Sequence, residues 1–188
     1  MDVFKPTESE FRSRHGISAD KKIVLGVAFG WGIPKGLDVF IELATRLDDN
    51  RYQIVLVGTD DTIDASLPKN ILSIHRTHNQ EELAKIYTAA DVFVNPTRQE
   101  VLGLVNIESL ACGTPIVIFD TGGCVEVMDH TCGIAVEKDN IDEMEAAVQR
   151  VCEQKPFRVE DCIRCASFFS ARDRFMQQVD LLMEEETI

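Results

Sequence analysis

Six short runs of consecutive apolar residues punctuate the chain: "KIVLGVAF" (22–29), "YQIVLVG" (52–58), "NILSIH" (70–75), "DVFVNP" (91–96), "PIVIFD" (115–120) and "GIAVE" (133–137). They are rich in β-branched residues and do not alternate with polar ones. A strand covered on only one face alternates; a strand covered on both faces has no need to, so these runs read as strands of a parallel sheet. Longer segments with helical spacing lie between them. "GLDVFIELATRL" (36–47) places apolar residues at 37, 40, 41, 43, 44 and 47. "NQEELAKIYTAA" (79–90) and "NIDEMEAAVQRVCEQ" (140–154) each open on an asparagine followed three residues later by a glutamate, a start resembling a capping box. "LVNIESLAC" follows Gly103, "GCVEVM" (123–128) is short, and the tail from 158 to about 186 reads as one or two helices interrupted near Ser170.

Strand–helix alternation repeated in this way implies right-handed crossovers and an open α/β architecture. The expected fold is a Rossmann-like, three-layer α/β/α domain around a six-stranded parallel sheet. Residues 1–20 read as a polar, linker-like lead-in, 21–169 as the domain and 170–188 as a C-terminal helix.

Ligands of such sheets bind beyond the carboxyl ends of the strands. The segments expected on that rim are "GWGIPKG" (30–36), "TDD" (59–61), "RTHNQ" (76–80), "TRQEVLG" (97–103) and "TGG" (121–123). Glycines, hydroxyls and charged residues gather there, which marks a site by topology alone.

Composition narrows the classes. The 188 residues are 45% hydrophobic, enough to bury a substantial core, and carry a formal net charge of −13. Nucleic acid is an unsuitable partner for so acidic a chain. A nucleotide needs only a local cation or a cluster of N–H groups. No apolar run approaches the roughly 18 residues of a membrane span, and the N-terminus lacks a signal-peptide core. A cytoplasmic domain is expected. The six cysteines read as small buried hydrophobes in a reducing compartment. "CIRC" (162–165) falls in a predicted helix, with no second pair and no histidine at metal spacing, so no metal is expected.

Two rim segments carry candidate chemistry. "GWGIPKG" is a glycine-rich turn with Lys35 just before a helix, suited to phosphate but equally readable as a plain strand–helix loop. It also loosely fits a dinucleotide fingerprint. With Asp60 or Asp61 holding a ribose, that would make a nicotinamide-dependent oxidoreductase. In "RQEVLGLVNIESLACGTP" (98–115), Glu100 and Glu108 bracket a helix start near Gly103. A carboxylate in the loop could reach sugar hydroxyls, the helix start could hold phosphate, and the second carboxylate could accept from vicinal ribose hydroxyls. Glu108 could also be a partly buried acid bonded to a neighbouring segment.

The stretch "PTRQEVLGLVNIESLACGTPIVIFDTGGCVEV" (96–127) resembles the donor-binding signature of the family 4 (group 1) retaining glycosyltransferases of GT-B fold. Glu100 and Glu108 match its glutamate pair; Gly103, Gly113, Pro115, Gly122, Gly123 and Glu126 fall in register. "KGLDVFIELA", "NQEELAKIYTAADVFVNPT", the opening "DVFKP" and "FFSARDRFMQQVDLL" match further segments in order. The resemblance implies the C-terminal, donor-binding domain of a two-domain enzyme, with the N-terminal acceptor domain outside this sequence. It implies a UDP- or GDP-sugar as substrate and a glycan or lipid-linked glycan as acceptor. It implies no cofactor and no metal, and a place in polysaccharide or glycolipid synthesis. Any peripheral membrane association would come from the missing half. By resemblance, Glu100 contacts the transferred sugar, Glu108 the ribose, and Lys35 with the N–H groups of Leu102, Gly103 and Leu104 the diphosphate; the base lies near Arg76, Thr77 and His78. The sequence departs from the family in two places. Gly30 stands where the family has an arginine, with Arg98 or Arg76 as candidate substitutes. "EVLG" replaces the usual Glu-Gly-Phe-Gly. A degenerate, non-catalytic domain is the remaining alternative.

Overall fold

The computed structural model describes residues 3–169. Six strands, β1 (Lys22–Val27), β2 (Tyr52–Val57), β3 (Ile71–Ile74), β4 (Val92–Asn95), β5 (Ile116–Phe119) and β6 (Gly133–Val136), form one sheet in the order β3-β2-β1-β4-β5-β6. Every pairing is parallel. The chain winds outward from β1 to β3, then returns to β4 beside β1 and winds the other way. This is the doubly wound Rossmann-like topology expected from the uniformly apolar runs.

Alternate side chains of each strand enter opposite layers, as the pleat requires. Ile23, Leu25, Phe93, Ile116 and Ile118 pack on one face. They meet Tyr87 of α4 (Gln80–Ala89) and Ile107 and Leu110 of α5 (Leu104–Ala111). Val24, Val92, Val94, Val117 and Phe119 pack on the other. There they meet Phe40 and Leu43 of α2 (Leu37–Arg46), and Met144 and Val148 of α6 (Ile141–Gln154). Each such side chain, fully buried, contributes roughly 1.5–3 kcal/mol.

The two asparagine helix starts are caps. Asn79 accepts from the N–H of Glu82 at 2.8 Å and Asn140 from that of Glu143 at 3.1 Å. The reciprocal arm of a capping box is displaced, however. Glu82 reaches back to the N–H of His78, and Glu143 to that of Glu137.

Three features differ from the sequence reading. Four-residue helices α1 (Phe11–Arg14) and α3 (Asp61–Asp64) were too short to show a period. "GCVEVM" forms a 3-10 turn over Gly122–Val127. The segment read as a polar lead-in is packed into the domain: Phe4, Phe11 and Ile17 are buried in the α4/α5 layer. Arg12 fastens it to Asp91 at 2.6 Å. The tail forms α7 (Val159–Ser167); the helix expected over 170–188 lies outside the described residues.

Candidate functional site

Strands β1 and β4 are neighbours whose connections depart in opposite directions, which opens a crevice at their carboxyl ends. The loop after β1 ends in a 3-10 turn, Ile33–Lys35, with proline near its start. Gly36 follows at φ 75° and leads into α2. A Cβ on Gly36 would fall 2.5 Å from both the ring and the carbonyl oxygen of Pro96. The missing side chain therefore lets the loop after β1 lie directly on the loop after β4. Lys35 Nζ consequently stands 2.9 Å from Glu100 Oε2. The other oxygen of Glu100 accepts from the N–H of Val101 at 3.1 Å. Lys35 and, more weakly, that amide hold the Glu100 carboxyl below the usual range against the opposing effect of burial.

A third loop braces the second. The turn after β5 presses on Glu100 and Val101 so closely that a Cβ on Gly123 would lie 1.8 Å from the Val101 carbonyl oxygen. Thr121 donates its hydroxyl to the Thr97 carbonyl at 2.9 Å, and the buried Thr97 hydroxyl bonds to Gln99 O at 3.1 Å. Glu100 thus sits on a loop fixed from both sides.

Gly103 ends that loop at φ 65° and opens α5 without any capping side chain. The Gly103 N–H faces the Glu100 carboxylate and that of Asn106 bonds to Gly103 O at 2.8 Å, while those of Leu104 and Val105 have no intrahelical acceptor; the positive end of the helix dipole favours an anion there. Leu102 is half-buried and Leu104 exposed on either side of Gly103. One turn further, Glu108 receives the hydroxyl of Tyr87 at 3.2 Å. Burial pushes the Glu108 carboxyl up, with the Tyr87 hydroxyl opposing. The two glutamates are therefore shifted in opposite directions by different surroundings.

Other candidates fall elsewhere. Arg98, expected as a substitute cation, is committed to structure. It grips Asp38 with two bonds at 2.9 and 2.8 Å, reaches Asp139 at 2.7 Å and also donates to Ile33 O. These partners tie the loops after β1 and β4 to α2 and to the loop before α6, and they leave the guanidinium engaged by protein acceptors. Gly30 is exposed at φ 75°, and a Cβ there would meet nothing within 4 Å. Arg76 and His78 are exposed and Thr77 half-buried beyond β3, two strands away from β1. The acids of the oxidoreductase alternative do not form a ribose clamp. Asp60 caps α3 by accepting from the N–H of Ile63 at 2.8 Å, and Asp61 is fully exposed near His75.

Sequence reasoning missed Tyr87, which reads as one more apolar position of α4. It also missed the bracing by Gly123, whose signal was only a Gly-Gly turn. The site is an open rim. A cleft of about 390 Å³ does exist, between α1, α4 and the end of β3, lined by Phe11, His15, Ile74 and Lys85 among others. It has none of the uncapped N–H groups or the switch-point position of the rim, so its size does not make it the site.

Fold and rim together define a Rossmann-like domain with a lysine–glutamate contact, a second glutamate and an uncapped helix start at its switch point. Comparison with known proteins places it more narrowly. Residues 21–154 match the family described as glycosyl transferases group 1, and the chain belongs to that family. A glycosyltransferase of Methanocaldococcus jannaschii, itself uncharacterised, is 31% identical over 157 residues, covering 79% of this chain and 40% of that protein. The chain thus spans about two fifths of that relative's length. The Anabaena protein HepE, solved with UDP-glucose, superposes with a TM-score of 0.79 at 17% identity over 98% of this chain and 55% of its own. The C-terminal domain of a group 1 glycosyl transferase from Francisella tularensis gives 0.70 at 19% identity over 89% of this chain and 96% of its own. The fold is that of the C-terminal domain of a GT-B glycosyltransferase, and the dinucleotide oxidoreductase alternative loses its support.

Proposed function

We propose that this domain holds the nucleotide-diphosphate sugar of a retaining glycosyltransferase, with a UDP- or GDP-sugar as donor. The observation that carries this reading is the Lys35–Glu100 contact beside the uncapped start of α5. A diphosphate entering the crevice takes Lys35 from Glu100 and accepts from the N–H groups of Leu102, Gly103 and Leu104. Glu100 is thereby released toward the sugar hydroxyls, and Glu108 accepts from the ribose. Departure of the diphosphate concentrates negative charge where the lysine and helix start are already aimed, the preorganised stabilisation that lowers such barriers. The side chains at hand, and no metal, carry this part of the chemistry.

Four of the seven large hydrophobics exposed among the described residues, Phe29, Ile33, Val101 and Leu104, lie on the rim, the other three being on or just after α7. This supports a cleft whose other wall is an acceptor-binding domain, with a glycan or lipid-linked glycan as acceptor and a role in polysaccharide or glycolipid synthesis. The domain alone then binds donor without turning it over. The commitment of Arg98 and the open Gly30 favour one second reading, a donor domain that has lost catalysis. The test is thermal denaturation with UDP, UDP-glucose, GDP, GDP-mannose and NAD. Ligand at about 100 times its Kd adds about 2.7 kcal/mol, a shift of about 5–11 °C for a chain of this size at about 2–4 °C per kcal/mol. Stabilisation by a uridine or guanosine diphosphate supports the reading; stabilisation by NAD alone contradicts it.

A further inference from the structure

The fold gathers a second cluster behind α5, on the turn that precedes β6. Asp129 and Cys132 lie on this turn and Cys165 on α7, and one carboxylate oxygen and the two sulphurs stand within 4.8 Å of one another. The sequence hid this group: the sulphur that joins "CIRC" comes from 30 residues upstream. Both cysteines are buried, while Asp129 is exposed and opens the cluster to solvent. The turn itself is ordered by the Asp129 carboxylate, which accepts from the N–H of Thr131 at 2.7 Å. The Thr131 hydroxyl lies 3.9 Å from Cys165 Sγ, and the Cys132 sulphur 3.6 Å from Asp129 O.

We propose that Asp129, Cys132 and Cys165 form a binding site for a thiophilic divalent cation, zinc being the natural one, with water in the fourth position. Two sulphurs and one carboxylate oxygen are a donor set that zinc accepts. With Zn–S near 2.3 Å and Zn–O near 2.1 Å, tetrahedral ligand atoms stand about 3.6–3.8 Å apart, so closure requires movements of about 1 Å or less. Charge is also partly offset. Binding expels the two thiol protons, leaving two thiolates and a carboxylate around a dication, a group of net charge −1. Arg164 stands beside it, with Nη1 3.9 Å from Asp129 Oδ2 and Nη2 donating to Thr131 Oγ1 at 2.9 Å. Its charge, shared with Asp161 at 3.3 Å, offsets part of that of the loaded cluster. The ion would tie the turn before β6 to α7, which packs on the helix that carries Glu108. The site does not depend on the donor-binding reading.

The test uses the whole chain, purified under reducing conditions, stripped of metal and titrated with cobalt(II), then zinc. The site predicts one equivalent of cobalt, a thiolate-to-cobalt charge-transfer band in the near ultraviolet, visible absorption of tetrahedral intensity, and displacement by one equivalent of zinc. Cys165→Ser and Cys132→Ser should each remove most of the charge-transfer band. Cys162→Ala, one turn away in α7, should leave it. Asp129→Asn, whose amide oxygen can still accept from the Thr131 N–H that orders the turn, should keep the band but weaken zinc by at least the roughly 10- to 100-fold cost of losing an outer-shell partner. Circular dichroism of each variant separates lost binding from lost folding. A folded wild-type chain with no charge-transfer band overturns the proposal. So does zinc affinity unchanged in Asp129→Asn.

Discussion

Lys35 Nζ lies 2.9 Å from Glu100 Oε2, across the crevice between the loops that follow β1 and β4. The cation expected to hold a diphosphate and the carboxylate expected to hold a sugar are thus partners of each other. The pair is partly exposed, at 33% and 25% of the side-chain surface, so solvent screens it and its share of stability is about 0–1 kcal/mol. Its importance lies in binding. A hydrogen bond to a charged group is worth about 1.5–3 kcal/mol. Lys35→Met should therefore weaken UDP or GDP about 10- to 100-fold while leaving the unfolding midpoint nearly unchanged, as paired calorimetric and thermal-melt measurements would show.

The two glutamates predict opposite responses to pH. The Glu100 carboxyl is held down in the fold, so the stability it contributes is present above the ordinary carboxylate range and is lost as pH falls through its depressed value. The Glu108 carboxyl is pushed up by burial, so its ionisation costs stability as pH rises through that raised value. Glu108→Gln should accordingly raise the melting temperature at neutral pH and cease to do so in acid, while weakening nucleotide binding. A melting temperature that falls at neutral pH would show that ionised Glu108 stabilises the fold.

Gly123→Ala tests the bracing of the donor loop. The added Cβ would meet the Val101 carbonyl oxygen at 1.8 Å, and backbone must move to admit it. Overpacking of this kind costs about 1–3 kcal/mol. Nucleotide affinity should fall as well, because the displaced segment carries Glu100. Denaturant unfolding and ligand titration of the same variant separate the two effects.

Arg98→Met should behave in the reverse sense from Lys35→Met. It breaks the fork onto Asp38 and the bond to Asp139 and leaves two partly exposed carboxylates without their partner. The expected cost is within the roughly 0.5–3 kcal/mol of destabilising single substitutions, with nucleotide affinity reduced less than by Lys35→Met. An affinity loss matching that of Lys35→Met, with stability unchanged, would return Arg98 to the ligand.

The sheet was legible because its central strands β1, β2, β4 and β5 are buried on both faces over most of their length, which favours apolar residues at nearly every position. Within "KIVLGVAF" the buried stretch is Ile23–Gly26, while Phe29, beyond the strand end, is exposed. The helix starts at Asn79 and Asn140 were legible because a cap needs a particular side chain at a particular offset. The role of Arg98 was not legible, because its partners Asp38 and Asp139 lie 60 residues before it and 41 after; only the folded loops show that the cation is already engaged. Phe4, Phe11 and Ile17 were likewise hidden. Three apolar residues in a charged segment carry no period, and tertiary packing alone decides that they are buried. Glu100 and Lys35 were found as types on a rim, but their contact depends on Gly36 and Pro96 touching, which no spacing in either segment reveals.

The most direct test of the central claim is isothermal titration of the chain with UDP and with GDP, for the wild type, Lys35→Met and Glu108→Gln. The account predicts that one of the two nucleotides binds the wild type, and that both substitutions weaken it about tenfold or more, in keeping with the loss of one charged hydrogen bond each. Nucleotide binding of equal strength in all three proteins would contradict it, because the ligand would then lie somewhere other than the crevice between Lys35 and α5.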